Sequence, residues 1–230
     1  MSKSCLIIKE DAGFFNFGIK AFYEESLLLI KIKKENKFSA KRIFKALKQN
    51  KIINIAFEEG ISEDFINFFE GKINILKKEK ILFSSIDEII KKLSGIYGIK
   101  DGSLSLGVIA GHKTDTALRL IKNLSLKLKA LYFYSENKRD YKFTEDFYKE
   151  TGIPVIIKGT PEFTECHIAL YLSYDEIPDF KFEGILIDIF DKTDKPAIRD
   201  IKGAFKNPYN ISDAVYLRLT NKPFSIKAFK

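Results

Sequence analysis

Tryptophan is absent from this chain of 230 residues, and only five of its 39 basic residues are arginine: Arg42, Arg119, Arg139, Arg199 and Arg218. Phosphate and base recognition leans on arginine's planar fork, and the lysines are scattered along the sequence. The net charge of +8 therefore leads us to expect no more than weak, non-specific attraction to nucleic acid. The lysine, isoleucine and asparagine richness reads as a compositional bias of the source. No apolar run approaches the roughly 18 to 20 residues that a bilayer-spanning helix needs. The first residues, Met-Ser-Lys-Ser-Cys-Leu-Ile-Ile-Lys-Glu-Asp, reach acidic side chains after three apolar positions and lack the apolar core of a secretory signal. A cytosolic location is expected. Cys5 and Cys166 are the only cysteines; both fall in strand-like segments and are expected as buried thiols in a reducing compartment. With 45% hydrophobic residues and 21 phenylalanines, the chain is no candidate for disorder.

What the sequence does have is alternation. Strands are expected at 27–33, 52–57 and 73–77, with helices at 39–49, 62–69 and 85–93 between and after them. Ser39, Ser62 and Ser84 or Ser85 are in position to cap those helices, and Glu63, Asp64, Asp87 and Glu88 fall in first turns, where the macrodipole favours negative charge. Ile43, Phe44 and Leu47 in the first helix, and Ile86, Ile89, Ile90 and Leu93 in the third, recur at helical spacing as buried stripes. Three glycines in Gly95-Ile-Tyr-Gly-Ile-Lys-Asp-Gly102 mark the expected junction between a domain at 1–98 and another at 99–230. Beyond it we expect strands at 104–110, 130–135, 155–157, 167–173 and 184–190, with helices at 115–126 and 144–151 and a helical hint at 212–219. Strand, helix, strand in alternation requires parallel pairing, so the expected fold class is α/β: two three-layer, Rossmann-like units with mainly parallel sheets. Ser62-Glu-Asp-Phe65 and Thr144-Glu-Asp-Phe147 echo each other, either as a duplicated half or as a shared helix-start chemistry.

The segment Gly107-Val-Ile-Ala-Gly-His-Lys-Thr114 is the most informative. It runs from strand through a glycine turn into a helix, the place where α/β sheets hold phosphates. A P-loop would set a glycine directly before the lysine, and here His112 intervenes; no G-x-G-x-x-G is present either. Two readings stay open: a nucleotide or other anionic ligand held by Gly107, Gly111, His112, Lys113 and Thr114, or a plain turn with a surface lysine. Past the next strand, Ser135-Glu-Asn-Lys-Arg139 offers Glu136 for a ribose hydroxyl and Lys138 or Arg139 for a phosphate.

Over Leu104 to Asp200 the chain resembles the NAD(P)-binding domain of the shikimate dehydrogenase and glutamyl-tRNA reductase type. The resemblance lies in the strand-turn-helix at Val108 to Leu120, in Cys166-His-Ile-Ala-Leu-Tyr-Leu-Ser173, and in Ile185-Leu-Ile-Asp-Ile-Phe-Asp-Lys-Thr-Asp-Lys-Pro196. It implies a Rossmann-like domain with NAD(P) as cofactor. The chain departs from that pattern in having Gly111 alone in the turn, and no lysine-aspartate catalytic pair is visible in its first half.

The remaining polar residues carry less. His112, at the helix entrance, suits proton transfer or ligand contact, since imidazole titrates near neutrality. His167, beside Cys166 and Glu165, matches no metal-ligand spacing. Asp188 and Asp191 end a strand and serve either a ligand or metal contact or the closure of the following loop. No catalytic residue is assigned. Phe14, Phe15, Phe17, Phe22 and Tyr23 form an aromatic amino-terminal segment suited to covering a core or a homodimer surface. Three functional expectations follow: an anionic small-molecule binder, a non-catalytic self-associating protein, and a weak nucleic-acid binder.

Overall fold

The computed structural model describes residues 4–10, 19–24, 27–100, 102–111, 114–124, 127–136, 141–177, 180–194, 196–199, 202–203, 207–222 and 224–225. The chain divides into two compact units, Met1–Ile81 with Ile201–Ser225, and Leu82–Asp200 with Ile226–Lys230. Each contains a mostly parallel sheet connected through helices, an α/β fold. Among the described residues no helix is long and apolar enough to cross a membrane.

The first unit opens with β1 (Ser4–Lys9), β2 (Lys20–Glu24) and β3 (Leu27–Ile32), followed by α1 (Lys37–Gln49), β4 (Asn54–Phe57), α2 (Glu63–Asn67) and β5 (Asn74–Ile75); only the first residues of α3 (Lys78–Ile96) belong to it, and from Leu82 onward that helix is part of the second unit. Its sheet runs β2-β3-β1-β4-β5, parallel except for β2, which pairs antiparallel with β3 at one edge. The apolar runs of β1 and β3 explain their central placement, because a strand covered on both faces need not alternate. Cys5, Ile7, Leu28 and Ile30 join Ile43 and Leu47 of α1 and Phe65 of α2 in one buried cluster. Leu6 and Leu29, alternate in the pleat, are buried as well.

Local signals at the helix starts differ from expectation. Asn36, not Ser39, caps α1: its Oδ1 accepts the Ser39 N–H at 2.9 Å. Ser62 precedes α2, but among the described residues its hydroxyl makes no capping bond. Ser84 and Ser85 lie well inside α3, which starts at Lys78, so the strand expected at 73–77 shrinks to two residues. The expected boundary at 98/99 also differs from the observed division between Ile81 and Leu82. The glycines there end a helix: Gly98 adopts the left-handed conformation (φ 65°) and the Ile99 N–H returns to the Ser94 carbonyl at 2.8 Å.

The second unit comprises β6 (Leu104–Gly111), α4 (Thr114–Lys122), β7 (Leu128–Ser135), α5 (Tyr141–Thr151), β8 (Val155–Lys158), β9 (Ile168–Tyr171) and β10 (Ile185–Asp188). Its sheet is parallel throughout in the order β10-β9-β6-β7-β8. From β6 the chain winds outward through β7 to β8, then returns to the other side of β6 for β9 and β10. That is the order of the first five strands of a doubly wound Rossmann sheet. Thr144 falls within α5 rather than at its start, so the echo with Ser62 is not a shared helix start; what the two segments share is a buried phenylalanine, Phe65 and Phe147.

The remaining elements are β11 (Lys202–Gly203), α6 (Asp213–Thr220) and β12 (Phe224–Ser225). The α6 helix belongs to the first unit, where it packs against β1 and β4, and Ser212 caps it by accepting the Val215 N–H at 3.2 Å.

Candidate functional site

A doubly wound sheet opens a crevice at the carboxyl ends of its strands where the winding direction reverses, because the two connections there leave toward opposite sides. In the second unit that point lies between β6 and β9. The residues that end β6, β7 and β9 lie around that point.

Gly111 ends β6 in the left-handed conformation (φ 52°). A side chain here would be strained, and its Cβ would sit 2.5 Å from the Ser173 Oγ. The glycine is thus explained by close approach between two strand ends. Ser135, at the end of β7, donates its hydroxyl to the Gly111 carbonyl at 3.2 Å. The register between β6 and β7 shifts between Ile109 and Gly111, which leaves Ala110 as an extra residue and turns the strand end. Ser173 is buried and accepts the Asp175 N–H at 3.1 Å. Gly111, Ser135 and Ser173 therefore meet, an uncharged group of small side chains at the reversal point.

The rim beyond β9 is held from below. Tyr171 is buried in the core, and its hydroxyl donates to the Asp175 carbonyl at 2.9 Å while accepting the Ile177 N–H at 2.8 Å. Burial, above all, pushes that hydroxyl's pKa up. Next to it Tyr174 packs on Phe190, ring centroids 4.0 Å apart, so aromatic surface borders the carboxyl ends of β9 and β10. On the other side Tyr134 approaches the end of β7; burial and then the charge of Glu136 raise its pKa.

The expected site residues separate. Gly107 is not a ligand-facing residue. It lies inside β6, where a Cβ would come within 2.9 Å of the Phe163 ring and 3.3 Å of the Ala169 Cβ, so its place is filled by packing. Glu136 is exposed just past β7, and Thr114 is the first residue of α4. His112 and Lys113, together with Lys138 and Arg139, lie outside the described residues. Ser135, Tyr171 and Ser173 fall in segments the sequence singles out for other reasons, and none of the three is expected there as a site residue. The one available hint was that a left-handed glycine closing a strand needs a small neighbour, and the partner is 62 residues away.

The carboxylates expected after β10 close a loop. Asp188 is fully buried, and its Oδ2 accepts the N–H groups of Lys192 (2.8 Å) and Thr193 (2.9 Å). Arg199 pairs with Asp191 and approaches Asp188, so both acids are structural. Cys5 and Cys166 are free and buried, and burial pushes both thiols up, that of Cys166 to about 12 with help from the Glu165 charge. Neither thiol is a nucleophile near neutrality. Among the described residues no group of three or more His, Cys, Asp or Glu side chains is placed to hold a metal.

The first unit reverses direction between β1 and β4, and its crevice is of another kind. Lys9, ending β1, donates its backbone N–H to Glu58 Oε2 at 3.0 Å, and its ammonium pairs with Glu35 Oε1 at 2.7 Å. Glu35 Oε2 also accepts the Ser62 N–H at 2.6 Å, so a carboxylate of the chain itself occupies the amide that opens α2. Burial opposes the charge on Glu35, yet the bonds from Lys9 and Ser62 prevail and hold its pKa down to about 2.

No protein-family model matches the chain, and no curated protein matches it. Several solved structures align with it, three of them as follows. The L-tryptophan dehydrogenase from Nostoc punctiforme is 12% identical with a TM-score of 0.34, over 63% of this chain, which spans only 44% of that protein's length. The shikimate dehydrogenase from Aquifex aeolicus is 11% identical, TM-score 0.33, over 81% of this chain and 78% of that one. A protein assigned as an aspartate carbamoyltransferase from Trypanosoma cruzi is 11% identical, TM-score 0.40, over 84% of this chain and 71% of that one.

Proposed function

We propose that the second unit binds a nucleotide or a related anionic small molecule at the carboxyl ends of β6, β7 and β9. The supporting observation is the parallel order β10-β9-β6-β7-β8, which sets the reversal point beside the strand that feeds α4. The free amides and macrodipole of a helix start attract anions. In this reading the first turn of α4 takes a phosphate, Lys113 adds charge, and Glu136 accepts from a ribose hydroxyl. NAD(P) is the dinucleotide this arrangement suits best, with Tyr174 and Phe190 offering a flat apolar surface beside it. No reaction is assigned to the site.

A thermal-shift panel of NAD, NADP, ATP, S-adenosylmethionine and sugar nucleotides tests the reading. A ligand at about 100 times its dissociation constant stabilises the fold by about 2.7 kcal/mol and raises the midpoint measurably. Lys113→Ala is expected to weaken the effective ligand roughly tenfold. No shift with any member of the panel overturns the proposal.

A second reading, self-association, draws on one observation: all five residues of the edge strand β2 are exposed, with Phe22 and Tyr23 at 40% and 56%. Exposed apolar edges pair with further strands. Phe14, Phe15 and Phe17 lie outside the described residues. Light scattering before and after Phe22→Ser with Tyr23→Ser tests it; a monomer at high concentration rules it out.

A further inference from the structure

We infer that the second unit carries a separate site for a small apolar amine at the opposite, amino-terminal edge of its sheet. A cavity of about 650 Å³ opens there, within the range usual for small-molecule sites. It stands apart from the reversal point because β9 lies between them: His167 precedes that strand and Ser173 follows it. The two sites are independent, and so are their tests.

The walls are mainly apolar, with Ile185 and Leu186 from the start of β10 and Ile198 from the segment that bridges back to Ile187. Three groups break that surface. His167 and Glu183 are brought together by strand pairing, since the Ile185 N–H donates to the His167 carbonyl at 3.0 Å. Tyr97, just past α3, adds a half-exposed ring.

The orientation of His167 is fixed by the backbone. Its Nδ1 accepts the Ser105 N–H at 3.3 Å, so the neutral ring carries its proton on Nε2 and presents a donor. Glu183 then supplies the negative charge of the lining, and the Tyr97 ring face attracts cations. An apolar wall, one carboxylate and one aromatic face fit a compact hydrophobic molecule bearing a protonated amine. An anion of the same shape would meet Glu183 and be repelled.

The probe is 2-phenylethylamine, and 3-phenylpropanoate serves as the same ring with opposite charge. Saturation-transfer NMR and calorimetry on the full chain are expected to show saturable millimolar binding of the amine and at least fivefold weaker binding of the acid. Glu183→Gln, an exposed change that leaves the fold intact, should lower affinity for the amine roughly fivefold and narrow the gap between the two probes. Ala197→Phe should block both by filling the cavity, with circular dichroism confirming that the sheet persists. Equal binding of amine and acid, or no saturable binding of either, overturns the proposal.

Discussion

The two sheets reverse direction at equivalent places in their strand orders, and the side chains at those places differ. Between β1 and β4 the first unit sets Glu35 and Glu58 on the backbone amides of Ser62 and Lys9. Between β6 and β9 the second unit sets Gly111, Ser135 and Ser173, none of them charged. Topology alone offers a strand-end edge in both units, and the side chains set there differ. In the first unit a carboxylate of the chain already performs the task that a bound phosphate would perform, and its charge repels any competitor.

Several substitutions press on this contrast. The largest effect is expected from Gly107→Val in β6, because a Cβ there meets the Phe163 ring at 2.9 Å in a fully buried setting. Overpacking of this kind costs about 3 kcal/mol, read as a lowered midpoint in urea; a stability unchanged from wild type would mean that the glycine serves the crevice and not the packing. Next comes Glu35→Gln, which leaves Lys9 without its partner and is expected to cost about 1 to 2 kcal/mol at neutral pH. Since the folded carboxyl titrates at about 2, below its ordinary 4.5, its contribution is complete above about pH 4.5 and fades as pH falls toward 2. The wild type and variant should therefore converge in stability in acid, and a gap constant down to pH 2 would show that the charge is not responsible.

A reciprocal change sharpens the comparison from the other side. Ser135→Asp places a carboxylate at the second crevice, making it resemble the first, and should weaken the nucleotide identified by thermal shift roughly tenfold, about 1.4 kcal/mol. Undiminished affinity would move the ligand away from β7. The smallest effect is expected from Asn36→Ala, the loss of one helix cap in the first unit, at about 1 kcal/mol. Nucleotide affinity should not change, since only α1 is touched.

Features that depend on near neighbours were legible in the sequence. The strands from 104 to 111 and 128 to 135 announce themselves by apolar runs, and the stripes Ile43, Leu47 and Ile86, Ile90, Leu93 are buried as their spacing requires. Features that depend on remote partners were not. Ser62 looks like a self-sufficient cap, but the group that satisfies its amide is Glu35, brought over by the return of the chain from β3. Gly107 and Gly111 look alike as members of one loop; Phe163 and Ser173 separate them into a packing residue and a strand-end residue. The helix α3 extends earlier than its apolar stripe suggests because Lys78, Glu79 and Lys80 are good helix formers that carry no periodic signal.

The Tyr171 hydroxyl ties a deep residue to the outer rim. By serving both a carbonyl and an amide in the segment after β9, it makes the outline of that rim a readout of how the interior is filled. A repacking under β9 that shifted the ring by a fraction of its length would release both bonds together, so the outline of the rim and the compaction of the interior are a single, shared constraint on how this protein can vary.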